Sequence, residues 1–545
     1  MAISLNLYED EKPLPPRRYS SGKTQVDLIE EILEALESND VVLLRAMVGS
    51  GKSVVGIRTI LELGRGVVAV PTKVLSDQYS RSYEKEKYFL RENGSRAKIS
   101  VLKGRDNFHC LHMKEKGHET TCSWRNLPCR RRLNHEAGER RTDALKECRE
   151  WGFVFPRNLA NDVRGAKKEF YRGVGGEWAV CLHGECPYWK QFLAYPSADV
   201  IVMNSMKWAA EISIGRLPVV PLTVVDEADE WLDQLALKVT VSQKRIEWVK
   251  EKLRENEIAV DLEELWEETT AGKKDPLDLA IFLEELLEEM DETANDFFWK
   301  LASVLEYWED VECEVKNDAV AYLVPDPRPV FLGYRRKVGG KWLLMSATVQ
   351  SEEVLREVYG IDPVIVEGET KFPGLIVQRR TWREMPVNYR SWSKEEFREN
   401  YWKLLEEIVE KAGRPAFLPV HAFKYLPPRL AEKIKESDVD VVEEDGVMLT
   451  TKMDRGADLK GMKSIVVTKF PFPEREDPLL KGMEKRLGKK AFWAYYRDMA
   501  ERCFIQQVGR VLRSEGDVVE FWSPDEICHR MLMKAWRGRV RKCSR

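Results

Sequence analysis

At 545 residues the chain is too long for a single core and reads as several domains. Its apolar fraction of 43% can fill real cores, while a net charge of −4 excludes a globally basic nucleic-acid binder and leaves any such partner to a local patch. The opening MAISLNLYEDEKPLPPRRYS lacks an apolar signal core, and no run of about 18 apolar residues occurs, which predicts a soluble, cytoplasmic chain with no membrane partner. Charged residues make up 33%, above the usual value of about 25%; thermophilic ion-pair networks and a solvated helical surface both fit that excess.

In chain order, the first segment with chemistry is VVLLRAMVGSGKSVVGIRTILELG, residues 41–64. A short apolar strand runs through a glycine-bearing loop into a helix, the context a phosphate-binding P-loop requires. Gly49, Ser50 and Gly51 turn backbone N–H groups towards a phosphate, Lys52 reaches the β/γ-phosphates, and the Ser53 hydroxyl suits Mg²⁺. Further on, LPVVPLTVVDEADEW (217–231) is an apolar strand ending in Asp-Glu-Ala-Asp. Carboxylates at the carboxyl end of a buried strand sit where α/β folds place ligands. Asp226 is the expected second Mg²⁺ ligand, and Glu227 the group that orients and deprotonates an attacking water. Together the two segments predict ATP and Mg²⁺ as cofactors.

This pair resembles the superfamily 2 helicases, and further blocks follow in the order that resemblance requires. VVAVPTKVLSDQY (67–79) looks like motif Ia, whose Pro71 and Thr72 would touch a nucleic-acid backbone. WLLMSATVQS (342–351) resembles motif III, RPAFLPVHAFKYL (414–426) motif IV, and VMLTTKMDRGADLKG (447–461) motif V, with Gly456 and Asp458 the matching nucleotide-side residues. CFIQQVGRVLRSEGD (503–517) matches QxxGRxxR of motif VI at Gln506, Gly509, Arg510 and Arg513. Phosphoryl transfer needs positive charge where the γ-phosphate becomes more negative. Arg510 and Arg513, three apart, are expected on one helical face and reach the nucleotide when a cleft between two motor domains closes. Gln25 lies where related enzymes place a base-contacting glutamine; an exposed site on the first helix is the other reading.

The stretch between motif Ia and the DEAD strand is far longer than a connection needs, and it holds Cys110, Cys122, Cys129, Cys148, Cys181 and Cys186. Its ends, LKGRDNFHC and ECPYW, resemble the XPD/DinG branch of superfamily 2, whose members carry a 4Fe–4S cluster here and track single strands 5′ to 3′. A cubane needs four thiolates. The XPD-like assignment is Cys110, Cys129, Cys148 and Cys186, a DinG-like one would bring in Cys181, and zinc is the alternative metal. Cys122 and Cys181 are left as buried thiols or a disulfide pair. His109, His112, His118 and His183 read as exposed polar residues. Trp124, Trp151, Phe170 and Tyr171 beside arginines suit single-stranded DNA, or an ordinary core. A second insertion before motif III is acidic and helical by its leucine and aromatic spacing. It is expected to be the Arch domain, guiding a strand or meeting a protein partner, with Trp248, Trp266, Trp299 and Trp308 in its core.

The expected fold is therefore α/β: two RecA-like parallel-sheet motor domains with a cysteine-rich 4Fe–4S insertion and a helical Arch insertion. The boundaries are motor domain 1 in three parts (1–108, 191–232, 326–370), the cluster domain at 109–190, the Arch at 233–325 and motor domain 2 at 371–545. The expected function is an ATP-dependent DNA helicase, monomer-sized, acting on single-stranded and forked or overhang duplex DNA in repair or replication-associated processing. A translocase that strips proteins or R-loops, one acting on RNA, and a redox-sensing single-strand binder with weak ATPase are the alternatives.

Overall fold

The computed structural model describes residues 3–124, 127–130, 140–290, 295–316, 318–371, 373–435, 441–444, 446–450, 459, 461–512 and 514–542. Two parallel sheets dominate. The first has, in spatial order, Ile365–Glu367, Val41–Arg45, Lys341–Ser346, Leu222–Asp226, Gly66–Val70, Val200–Asn204 and Ile99–Leu102, every neighbouring pair parallel. Its strands are near-continuous valine, leucine and isoleucine runs because both faces are covered. Val42, Leu44, Val68, Val202, Val224 and Met345 pack on one face, and Leu43, Val67, Ala69, Ile201, Val225 and Leu344 on the other.

Strand order explains why distant sequence blocks meet. Val41–Arg45, Lys341–Ser346 and Leu222–Asp226 are adjacent, so the loops leaving their carboxyl ends (the GSGKS, SAT and DEAD segments) emerge side by side, as ligand sites in open α/β sheets do.

The second sheet runs Val441–Glu444, Val447–Thr450, Ala416–Pro419, Ser464–Val466, Val518–Trp522, Leu375–Gln378 and Val540–Lys542. All its pairings are parallel except the first, which is antiparallel. The long helix Pro478–Gly509 leads towards it; Gly488, at φ 78°, breaks the helical path inside that span and joins two helices where a residue with a β-carbon would be strained.

Two smaller bodies interrupt the first sheet in sequence. The cysteine-bearing stretch folds around an antiparallel sheet of Gly152–Pro156, Gly176–Leu182 and Lys167–Gly173. The acidic stretch forms helices Gln243–Glu255, Leu262–Thr270, Pro276–Glu289 and Asp296–Leu305. They pack with an antiparallel sheet of Leu237–Ser242, Ala319–Val324 and Glu312–Lys316. Trp266 is buried there, and Trp248 and Trp299 are partly buried. Trp308 corrects the expectation of a core residue: it is 62% exposed, because the helix ends at Leu305 and a short 3₁₀ turn, Trp308–Asp310, swings the ring outward. Among the described residues no helix is long and apolar enough to cross a membrane.

Candidate functional site

The P-loop geometry follows from its two left-handed glycines. Gly49 and Gly51 have φ of 76° and 87°, a region where only glycine sits without steric cost. Helix Lys52–Glu62 starts directly after Gly51. Lys52 is buried, and its ammonium donates to the Ala46 and Met47 carbonyls at 3.0 and 3.4 Å, curled back on the loop. Ser50 is buried with its hydroxyl unpartnered, a polar atom in a cradle shaped for an anion. Ser53 is half-buried in the first turn.

The N-terminal segment braces this loop in a way the motif did not foretell. Arg17 donates to the Gly49 carbonyl and Tyr19 to that of Ser50. Gln25 is buried, so the exposed-helix reading of it fails. Its Oε1 accepts from Arg17 N at 3.0 Å and its Nε2 donates to Gly51 O at 3.3 Å.

Asp226 ends its strand almost fully buried. Its Oδ2 accepts from the Tyr79 hydroxyl at 2.8 Å and its Oδ1 from the Glu227 N–H at 3.1 Å. Burial raises its pKa, opposed by the Lys52 charge. Glu227 has φ 50°, an uncommon conformation for a side-chain-bearing residue, and caps the short helix Ala228–Asp233.

The last DEAD carboxylate, Asp229, gathers the other motifs, a role sequence reasoning missed. It accepts from Ser346 Oγ at 2.6 Å and Thr348 Oγ1 at 2.8 Å. It also accepts from Gln506 Nε2 at 2.6 Å, and the same Nε2 donates to Thr348 Oγ1 at 2.7 Å. Gln506 belongs to the helix leading into the second sheet, so these bonds join the two parallel-sheet units. That helix ends at Gly509 with Arg510 as its C-cap; the expected shared face with Arg513 falls on a residue outside the described ones. Arg513, Gly456 and Asp458 lie outside the described residues.

Five cysteines line one cavity. Cys110, Cys122, Cys129, Cys148 and Cys186 face it, together with Arg105, Trp151 and Trp189. A loop that holds the short helix Leu111–Glu115 returns Cys122 there, since Cys110 N donates to Thr120 O and Cys122 N to Phe108 O. Hydrogen bonding to the Cys122 thiol lowers the pKa of Cys110 to about 6 and of Cys186 to about 7, while burial raises Cys148 to about 12. Cys181 does not line that cavity; it lies on a central strand opposite Phe153, in a core with Leu145 and Phe155 against which Cys129 and Cys148 also pack. Among the described residues, no group of three or more His, Cys, Asp or Glu side chains is arranged to hold a metal ion. His112 is buried, unlike the exposed His109, His118 and His183. The aromatics divide: Trp151 and Tyr171 are buried, while Trp124 and Phe170 are exposed.

Residues 394–538 match the helicase C-terminal domain family. An XPD helicase structure superposes with TM-score 0.60 at 14% identity, covering 95% of this chain and 99% of that one. A second, apo XPD, gives 0.58 at 14%, covering 95% and 100%. The Xpd4 structure from S. tokodaii gives 0.56 at 14%, covering 95% and 99%. The chain shares its fold with these XPD structures. A search of curated proteins by sequence found no match. The family match takes in five of the seven strands of the second sheet and the helix that holds Gln506, with Arg510 at its cap.

Proposed function

We propose that this chain is an ATP-dependent helicase that translocates on single-stranded DNA, with 5′-to-3′ polarity as in the XPD/DinG branch. The observation that carries the reading is the pair of hydrogen bonds from Gln506 to Asp229 and Thr348. They connect the helicase C-terminal segment to the carboxyl edge where Lys52 and Asp226 stand, the coupling that an ATP-driven cleft requires.

The residues divide the work. The P-loop N–H groups and Ser50 cradle phosphates, and Lys52 leaves its two carbonyl partners for the β/γ-phosphates. Ser53 and Asp226 are the residues that would hold Mg²⁺, which supplies charge neutralisation on the phosphates when bound. Glu227 orients the attacking water and takes its proton. Arg510 and Arg513 stabilise the γ-phosphate as the two sheets close, and Gly456 and Asp458 complete the nucleotide pocket. Gln25 braces Gly51 and presents the loop to the base.

The five-thiol cavity suits an iron–sulfur cluster by donor chemistry, since such a cluster would need four thiolates. Cys110, Cys129, Cys148 and Cys186 would hold it as a structural element, with Cys122 beside them. The domain boundaries are those expected above. The acidic helical insertion acts as the Arch; its charge disfavours phosphate and suits strand exclusion or a protein partner. We place the enzyme in the cytoplasm, as a monomer, acting on forked or overhang duplexes.

The test is ATP hydrolysis with and without single-stranded oligonucleotide, together with unwinding of 5′- and 3′-overhang duplexes. Stimulated hydrolysis and unwinding from the 5′ overhang are expected. Hydrolysis that DNA leaves unchanged would overturn the helicase reading in favour of a single-strand binding protein.

A further inference from the structure

We infer that Tyr79 is a positioning residue of the nucleotide site: its buried hydroxyl fixes the Asp226 carboxylate in the orientation that receives a magnesium–nucleotide complex. The inference rests on the proposed ATP site and gives a role to a residue that closes the motif Ia block but to which the motif assigns none.

Tyr79 ends the helix Lys73–Tyr79 that follows the strand Gly66–Val70. It is 1% exposed, and its hydroxyl donates to Asp226 Oδ2 at 2.8 Å. The two donors to Asp226 among the described residues are this hydroxyl and the Glu227 N–H on Oδ1. Lys52 donates instead to Ala46 and Met47, so among the described residues Tyr79 is the side chain that donates a hydrogen bond to the carboxylate. A carboxylate accepts up to about four hydrogen bonds, leaving Asp226 able to face a hydrated cation while Tyr79 keeps hold of it.

The local backbone is built for the contact. After Tyr79 the chain passes into a π-helical turn, Ser80–Glu86, a wide geometry that recurs at functional sites. It lets Tyr83 pack on Tyr79, ring centroids 5.6 Å apart. The π turn is itself pinned, with Glu84 accepting from Val101 N at 2.8 Å. The pinned segment thus holds the Tyr79 hydroxyl on the Asp226 carboxylate. A ring serving the core alone has no need of a hydroxyl aimed at a buried carboxylate.

Tyr79→Phe keeps the ring and removes the hydroxyl. Binding of a fluorescent ATP analogue to the full chain, titrated with Mg²⁺ and repeated in EDTA, reads the effect. One lost hydrogen bond to a charged acceptor predicts about a tenfold rise in the Mg²⁺ concentration needed for half-maximal binding, with binding in EDTA unchanged. In an Asp226→Asn background the same substitution is expected to add nothing further, because Tyr79 acts through that carboxylate. A Tyr79→Phe protein with the parent's melting temperature and the parent's Mg²⁺ dependence overturns this inference alone. A parent chain that binds no nucleotide overturns the proposed function and the inference with it. Should Tyr79→Phe melt early, the cycle in Asp226→Asn decides: a further change in nucleotide affinity there assigns Tyr79 to packing.

Discussion

Arg502 and Asp233 form a bidentate ion pair across the two parallel-sheet units, each terminal guanidinium nitrogen 2.9 Å from a carboxylate oxygen. Arg502 Nε also donates to Asp498 at 2.7 Å, and Asp233 accepts from Tyr359 at 3.2 Å. Arg502 is buried, and its carboxylate partners raise its pKa against the cost of burial. Removing one partner of a buried pair leaves an uncompensated charge and costs about 3–5 kcal/mol. Arg502→Met should therefore lower the denaturant midpoint markedly, and Arg502→Met with Asp233→Asn should cost less than the two singles summed. Urea titrations of all four proteins measure this. Strict additivity would mean that the pair does not hold the units together.

That pair also marks where sequence reading stops. The strands at 41–45 and 222–226 were legible because parallel strands buried on both faces are unbroken apolar runs, and glycine and carboxylate positions at their ends carry their own chemistry. Arg502 and Asp233 lie 269 residues apart; nothing local in RCF or LDQ announces a partner, and only the packing of the helix Pro478–Gly509 against the first unit brings them together. Tyr79, Tyr19 and Asp229 escaped notice for the same reason. Cys122 was ambiguous because cysteine spacing does not reveal the loop that returns it to Cys110. Trp308 failed differently: leucine and aromatic spacing continued the helical pattern past Leu305, where the helix ends.

Gly51→Ala tests the P-loop geometry. An added β-carbon would lie 2.4 Å from Gln25 Nε2, and a β-carbon at this φ of 87° costs about 1–2 kcal/mol in its own right. The expected result is a lower melting temperature and at least tenfold weaker binding of a fluorescent ATP analogue. Adding Gln25→Ala should relieve the clash and restore part of the melting temperature, while the backbone strain keeps nucleotide binding weak. Full recovery of both would show that Gly51 is needed only for space.

The second parallel-sheet unit should be acid-labile. His529 is buried, with Nε2 donating to Ser523 O at 3.1 Å and Nδ1 accepting from Gln378 at 3.3 Å. Burial lowers its pKa below the unfolded value; His421 is lowered for the same reason. In the unfolded chain these rings gain a proton as pH falls below about 6.5, whereas the folded chain resists it. The stability is thus complete above that pH and lost as pH falls towards the folded pKa, by up to about 1.4 kcal/mol per histidine per pH unit. Urea midpoints between pH 7.5 and 5.5 should fall, and His529→Gln should flatten that slope. An unchanged slope in His529→Gln would place the acid sensitivity elsewhere.

The cysteines separate by position, so serine substitutions should sort into two classes. Cys110, Cys129, Cys148 and Cys186 face the shared cavity and are the proposed ligands; replacing any one removes a thiolate that three others cannot supply. Each such variant, purified anaerobically, is expected to lose most of its iron, acid-labile sulfide and visible absorbance. Cys181→Ser should retain all three, because that side chain does not line the cavity and is buried against Leu145 and Phe155; its cost is a polar group in an apolar site, read as a lower melting temperature. Cys122 is the sharper case. It lines the cavity and hydrogen-bonds to Cys110 and Cys186, so Cys122→Ser, which keeps a donor, should retain iron while shifting the visible spectrum. If Cys122→Ser loses iron and Cys129→Ser keeps it, Cys122 takes the place of Cys129 in the ligand set. If every variant binds one equivalent of zinc and no sulfide, the thiols hold a zinc ion and the cluster is excluded.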